Sequence, residues 1–190
     1  MENKEELKAK LFRNAKTGWG GISKEDKENI FEYCKQYMQF LNNSKTEREI
    51  VKSSKELAEK NGFKSICEYE KLKAGDKVYY INRDKSMYLA IIGQNPIENG
   101  INIIGSHADS PRLDLKPNPL YEDSGLAFLK THYYGGIKKY QWTTIPLAIH
   151  GVVVKANGEK IEVKIGEDDE DPIFTITDLL PHLAQEQMEK

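Results

Sequence analysis

The spacing of apolar residues in this chain changes from helical to strand-like part-way along, and that change narrows its possible folds more than any other feature. Ile30, Phe31, Cys34, Tyr37, Met38 and Leu41 recur at the interval of one helix face. Ser23 and Asp26 precede them at the spacing of a capping box, with Asp in place of the usual Glu. This spacing predicts an amphipathic helix over residues 23–42. Thr46 and Glu49 open a second helix in the same way, and Gly62, just after "LAEKN", supplies the left-handed residue that closes it. That helix is expected over about 46–61. From residue 77 the pattern is strand-like: "KVYYIN" and "MYLAIIG" flank the polar "RDKS" and predict a hairpin that joins a sheet. "INIIGSH", residues 101–107, is apolar with little alternation, as in a central strand covered on both faces.

The second half has a different texture. "PRLDLKPNPL" holds three prolines and alternates Leu113 and Leu115 with polar neighbours, so the chain leaves the first layer there, and a domain boundary is expected near residue 116. Beyond it, "LAIHGVVVKA", the dipeptide Asn157-Gly158 and "EKIEVKIG" give the strongest hairpin signal in the chain. Residues 117–190 therefore read as β-rich. The acidic run Glu167 to Asp171 reads as a solvated loop, and Thr177 as the cap of a last helix with Pro181 in its first turn.

A chain of 190 residues with 38% apolar content can build a real core. Its net charge is -2, and Lys and Arg are interspersed with Asp and Glu, so nothing calls for nucleic acid or an anionic membrane. No stretch approaches the roughly 18 apolar residues of a membrane span, and "MENKEELKAK" carries no apolar run. A soluble, cytoplasmic protein is the expectation. The two cysteines, Cys34 and Cys67, read as reduced, packed thiols, since neither belongs to a CxxC pair.

The chemistry concentrates in "GSHADSP". His107 ends a predicted strand, where open α/β sheets place functional residues. In extended chain, residues i and i+2 face the same way, so Asp109 can hold one imidazole nitrogen of His107 and leave the other free for a metal. The alternative is a core histidine satisfied by its neighbour in a structural turn. The same geometry argues against a Ser-His-Asp triad, because on a strand Ser106 projects to the opposite face, and no G-x-S-x-G elbow surrounds Ser110. A catalytic zinc needs about three protein ligands, and neither H-E-x-x-H nor H-x-x-E-H occurs. His132 and His150 read as structural, and residues 134–136, "YGG", as a turn.

"GSHADSPRLDLKP" resembles the H-T-D-S-P segment of the aspartyl aminopeptidase and aminopeptidase I family of di-zinc exopeptidases, with Ala108 in place of Thr. "KTEREIV", "KAGDKVYYINRDKSMYLAIIG", "YYGG" and "LLPHLA" look like further landmarks of that family in the right order, from about residue 10 to the end. The resemblance implies an α/β fold, a zinc-exopeptidase-like mixed sheet with flanking helices. Residues 1–116 would be the first part of the peptidase domain, and residues 117–190 the first part of an inserted β-rich dimerisation domain. In this family that domain builds dimers and a homo-oligomeric shell of twelve subunits.

The resemblance also implies roles. His107 would bind one of two zinc ions, and Asp109 would be the carboxylate that orients it. The remaining ligands and the glutamate base come, in the family, from a half that follows the insertion. The sequence is therefore expected to be the N-terminal portion of a longer metalloaminopeptidase, inactive alone. The complete enzyme would release N-terminal residues, acidic ones among them, from peptides by zinc-activated water. Many relatives send a histidine near a P-H-L-A-x-H segment into the neighbouring subunit's active site. Glu186 stands at the second histidine position, so His182 is the candidate here, against an equal reading as a packing residue of the dimer domain. Two other classes stand beside this one. One is a non-enzymatic assembly or regulatory module that pairs with a full-length subunit; the other is an unrelated single-metal hydrolase in which His132, His150 or His182 converge on His107.

Overall fold

The computed structural model describes residues 4–13 and 17–185. It divides into two compact units, Met1–Asn42 and Asn43–Lys190. The first holds two helices, α1 (Lys4–Leu11) and α2 (Lys24–Asn42). Helix α1 carries no apolar period and was not expected from the sequence. Helix α2 starts where the Ser23–Asp26 spacing places it: Ser23 Oγ accepts the Asp26 amide at 3.0 Å and donates to Asp26 Oδ2 at 2.8 Å. Trp19 stacks near Phe31, with ring centroids 6.4 Å apart. No described residue of α2 is buried, and Phe31, Tyr37 and Met38 are all exposed.

The second unit begins with α3 (Glu47–Lys60), whose capping box is complete. Thr46 Oγ1 accepts the Glu49 amide at 3.3 Å, and Glu49 Oε2 accepts the amides of Thr46 and Lys45, each at 2.9 Å. The helix ends in a Schellman motif: Phe63 N–H donates to Ala58 O and Gly62 N–H to Glu59 O, both at 3.0 Å. That closure needs a left-handed residue, and Gly62 has φ +82°.

A three-stranded sheet follows in the order β1 (Lys64–Ser65), β2 (Lys77–Asn82), β3 (Ser86–Ile91); β1 runs parallel to β2, and β2 and β3 form the expected hairpin with Lys77 opposite Ile91. Helix α3 packs on this sheet, and the buried apolar residues among those described are Val51 and Ala58 from the helix with Val78 and Tyr79 from β2. The Tyr79 hydroxyl donates to Glu59 Oε1 at 2.8 Å, so the buried phenol is not left without a partner.

Two further hairpins complete the unit. Strands β4 (Arg112–Asp123) and β5 (Leu126–Tyr134) turn through Ser124 and Gly125, both left-handed at φ +54° and +77°. The ladder breaks between Leu115 and Leu120, around Pro117 and Pro119, which have no amide to donate. Residue 116 lies within this break, inside β4. Strands β6 (Ile149–Val154) and β7 (Lys160–Ile165) form the hairpin announced by Asn157-Gly158. The connection is a three-residue loop closed by Lys155 N–H to Glu159 O at 2.8 Å, with only Gly158 left-handed, instead of a two-residue turn.

Three expectations fail. Residues 101–107 form no strand: they pair with no described segment, and Ile103 and Ile104 are 79% and 99% exposed. A strand exists only as a member of a ladder, and an apolar run alone cannot supply its partner. Nor does Thr177 cap a helix. Leu180 sits at ψ 145°, out of the helical region as a residue before proline tends to be, and the described helical turn there is the short one at Pro181–Leu183. The remainder of that predicted helix, residues 186–190, lies outside the described residues. Cys34 and Cys67 are free thiols, as expected, but exposed instead of packed, because no described residue covers their faces.

Candidate metal-binding site

His107 lies in the unpaired segment that precedes β4. Its Nδ1 is 2.8 Å from the backbone carbonyl of Asp109 and 3.3 Å from Asp109 Oδ1. A carbonyl oxygen only accepts, so Nδ1 carries a proton, and in the neutral ring the Nε2 lone pair is the one left for a ligand. The imidazole is 83% exposed, and Nε2 has no hydrogen-bond partner among the described residues. The hold on the ring therefore comes from the peptide group of Asp109 as well as from its carboxylate.

The other carboxylate oxygen, Asp109 Oδ2, accepts the Tyr134 hydroxyl at 2.7 Å. Tyr134 ends β5 directly opposite Arg112, the first residue of β4. The Arg112 guanidinium lies over the Tyr134 ring, 4.0 Å from its centroid. That guanidinium is gripped in turn by Asp114 Oδ1 at 2.8 Å and by Glu47 Oε1, in the first turn of α3, at 3.1 Å. Gly135 follows at φ +78° and turns the chain away.

These contacts set the charge state of the cluster. The Tyr134 hydrogen bond, then Asp109's own amide and the neighbouring His107, hold the Asp109 carboxyl below its ordinary value. The same bond raises the Tyr134 phenol. Burial works against charge on Arg112, but Asp114 and Glu47 outweigh it and raise the guanidinium.

The other histidines do not join this cluster. His132 stacks on Tyr133 at 5.1 Å between ring centroids. His150, whose side chain is 8% exposed, is engaged at both nitrogens, with Glu49 Oε1 at 2.7 Å from Nδ1 and Glu167 Oε1 at 2.8 Å from Nε2. Neither nitrogen is open to a metal, and Glu167 belongs to an ion-paired contact instead of a purely solvated loop. His182 is exposed on the Pro181–Leu183 turn, and no hydrogen bond or ion pair among the described residues links it to His107; Glu186 lies outside them. Among the described residues no group of three or more His, Cys, Asp or Glu side chains could hold a metal ion. His107 fits zinc as one ligand, and a complete ligand set requires donors beyond the described residues. Tyr134, Arg112 and Glu47 were not singled out by sequence reading; the "YYGG" landmark drew attention to Tyr134 only as part of a turn.

Residues 40–190 match the family model described as Aminopeptidase I zinc metalloprotease (M18). The chain belongs to the M18 family. It is 50% identical over 184 residues to a probable M18 family aminopeptidase 1 of Clostridium acetobutylicum, across 95% of this chain and 40% of that relative. Its fold superimposes on the crystal structure of aminopeptidase I from Borrelia burgdorferi B31 with a TM-score of 0.83 and 48% identity, covering 87% of this chain and 41% of that one. The S. cerevisiae mApe1 dodecamer is similar at TM-score 0.66 and 26% identity, over 84% of this chain and 38% of that one. The mixed α/β architecture, helices on a small sheet followed by hairpins, is thus that of an M18 fragment. The chain spans about two fifths of the length of the curated M18 relative. No described helix is long and apolar enough to cross a membrane.

Proposed function

We propose that the protein carrying these residues is a zinc-dependent aminopeptidase that removes N-terminal residues from peptides, acidic ones preferred, with His107 as a ligand of one of two zinc ions. The observation that carries this reading is the free Nε2 of an exposed imidazole whose Nδ1 is already held by Asp109, in a chain half identical to M18 aminopeptidases. Bound zinc would polarise the attacking water and the scissile carbonyl. The described residues contribute binding and orientation: His107 presents one nitrogen, and Asp109 fixes the ring. The general base, a glutamate in this reading, lies outside the chain.

In the same reading, residues 1–116 belong to the peptidase domain, and residues 117–190 begin an inserted domain through which subunits pair. A dodecamer built from dimers is the assembly proposed, supported by the likeness to the yeast dodecamer. His182 would reach a neighbouring subunit's active site, and the protein would work in the cytoplasm. The 190 residues by themselves are expected not to hydrolyse peptides, since one His-Asp unit is not a chelating set.

The test is H107A in the full-length protein, with zinc content by metal analysis and hydrolysis of peptides bearing acidic and neutral N-terminal residues. Loss of about one equivalent of zinc together with activity is expected. Unchanged zinc content and rate would sink the assignment.

A further inference from the structure

Resting on that assignment of His107, we propose that Tyr134 is a positioning residue for the zinc site, fixing the Asp109 carboxylate and through it the His107 ring. Residues 101–111 make no ladder contacts, so nothing in the backbone pairing of the described residues orients the motif. Orientation comes from the Asp109 carbonyl, which accepts from His107 Nδ1 at 2.8 Å, and from the side chains that hold Asp109 in place. Beside that carbonyl contact, Asp109 Oδ1 lies 3.3 Å from His107 Nδ1, and Oδ2 accepts the Tyr134 hydroxyl at 2.7 Å. With both oxygens engaged, rotation of the carboxylate breaks one contact or the other.

Tyr134 can serve as the fixed end because its own ring is held. The antiparallel register places it opposite Arg112, and the guanidinium stacks on it at 4.0 Å. Asp114 and Glu47 then fix the guanidinium from β4 and from the first turn of α3. A continuous chain of contacts runs from the capped end of α3, through Arg112, Tyr134 and Asp109, to His107. Partners that orient a ligating histidine affect metal affinity or activity by roughly 10–100-fold when removed, and Tyr134 stands one contact further out.

The experiment uses the full-length protein and compares wild type, Y134F, D109A, the D109A/Y134F double variant, R112L and H107A. Zinc affinity is measured by competition with a chromophoric chelator, alongside kcat, KM and Tm. Y134F keeps the ring on Arg112 and deletes only the hydroxyl, so Tm should hold. Zinc affinity should drop by about threefold to tenfold, below the full range for a directly orienting partner, with kcat falling and KM nearly unchanged. Because Tyr134 acts through Asp109, the double variant should bind zinc no more weakly than D109A alone. Wild-type zinc affinity in Y134F, or a double variant whose loss is the product of the two single losses, overturns the proposal. If Y134F does not fold, wild-type affinity in R112L overturns it. Failure of the underlying assignment looks different: H107A then keeps its zinc.

Discussion

Substituting Glu49 by Ala tests how the second unit is held together, because this one carboxylate closes the capping box of α3 and also binds His150 on β6. Its Oε2 accepts two amides at the helix start, each at 2.9 Å, and its Oε1 lies 2.7 Å from His150 Nδ1. Loss of the cap contacts costs about 1 kcal/mol. Loss of a hydrogen bond with charged character costs about 1.5–3 kcal/mol, the lower end applying here because the Glu49 side chain is 28% exposed. Together E49A should lose about 2–3 kcal/mol, a large share of the roughly 5–15 kcal/mol typical of a domain. Urea unfolding followed by circular dichroism at about pH 7 gives the value. E49Q keeps an acceptor for the amides but not the charge, and should lose about half as much.

The acid limb supplies a second reading of the same contact. Burial raises the Glu49 carboxyl, but the hydrogen bond and charge of His150, with the amides of Lys45 and Thr46, outweigh it and hold the group below 4.5. Glu167, on the other side of His150, is likewise held low against burial by His150 and Lys45. A depressed folded value means that their stabilisation is fully present above the unfolded value of 4.5 and is lost as pH falls through the folded one. The gap between wild type and E49Q should therefore close in acid. A loss below about 0.5 kcal/mol for E49A, within the range of an ordinary surface change, would refute the reasoning, as would a gap that persists in acid.

Two further outcomes follow from single residues. Gly62 closes α3 at φ +82° in open space, so G62A meets no clash and should cost only the backbone term, about 1–2 kcal/mol by thermal or urea unfolding; no loss would mean that the helix can end without the left-handed residue. The Glu59 carboxylate that accepts the Tyr79 hydroxyl lifts that phenol to about 12, so an absorbance titration should show a late-ionising tyrosine that is lost in Y79F. A raised folded value stabilises fully below the unfolded value of 10.0 and is lost as pH rises through about 12, so Y79F should differ most from wild type at neutral pH and least in strong alkali.

The sequence by itself determined what depends on a few adjacent residues. Ser23 with Asp26, Thr46 with Glu49 and Gly62 placed the bounds of α2 and α3, because a cap is a hydrogen bond between residues about three apart. Gly158 marked the last hairpin, since the sign of one φ angle selects the turn. His107 and Asp109 were legible as a pair for the same reason: two residues apart, they meet whatever the rest of the chain does. Tertiary structure alone decided which partners arrive from afar. Whether 101–107 becomes a strand depends on a neighbour to pair with, and no apolar pattern within the run contains that information. Tyr134 reaches Asp109 across 25 residues because one register of β4 against β5 sets it opposite Arg112, and a shift by one residue would turn it to the other face. His150, a lone histidine in "LAIHG", meets Glu49 only after helix and hairpin dock. Local geometry is written in spacing; distant contacts exist only once burial and register have chosen among many chain closures.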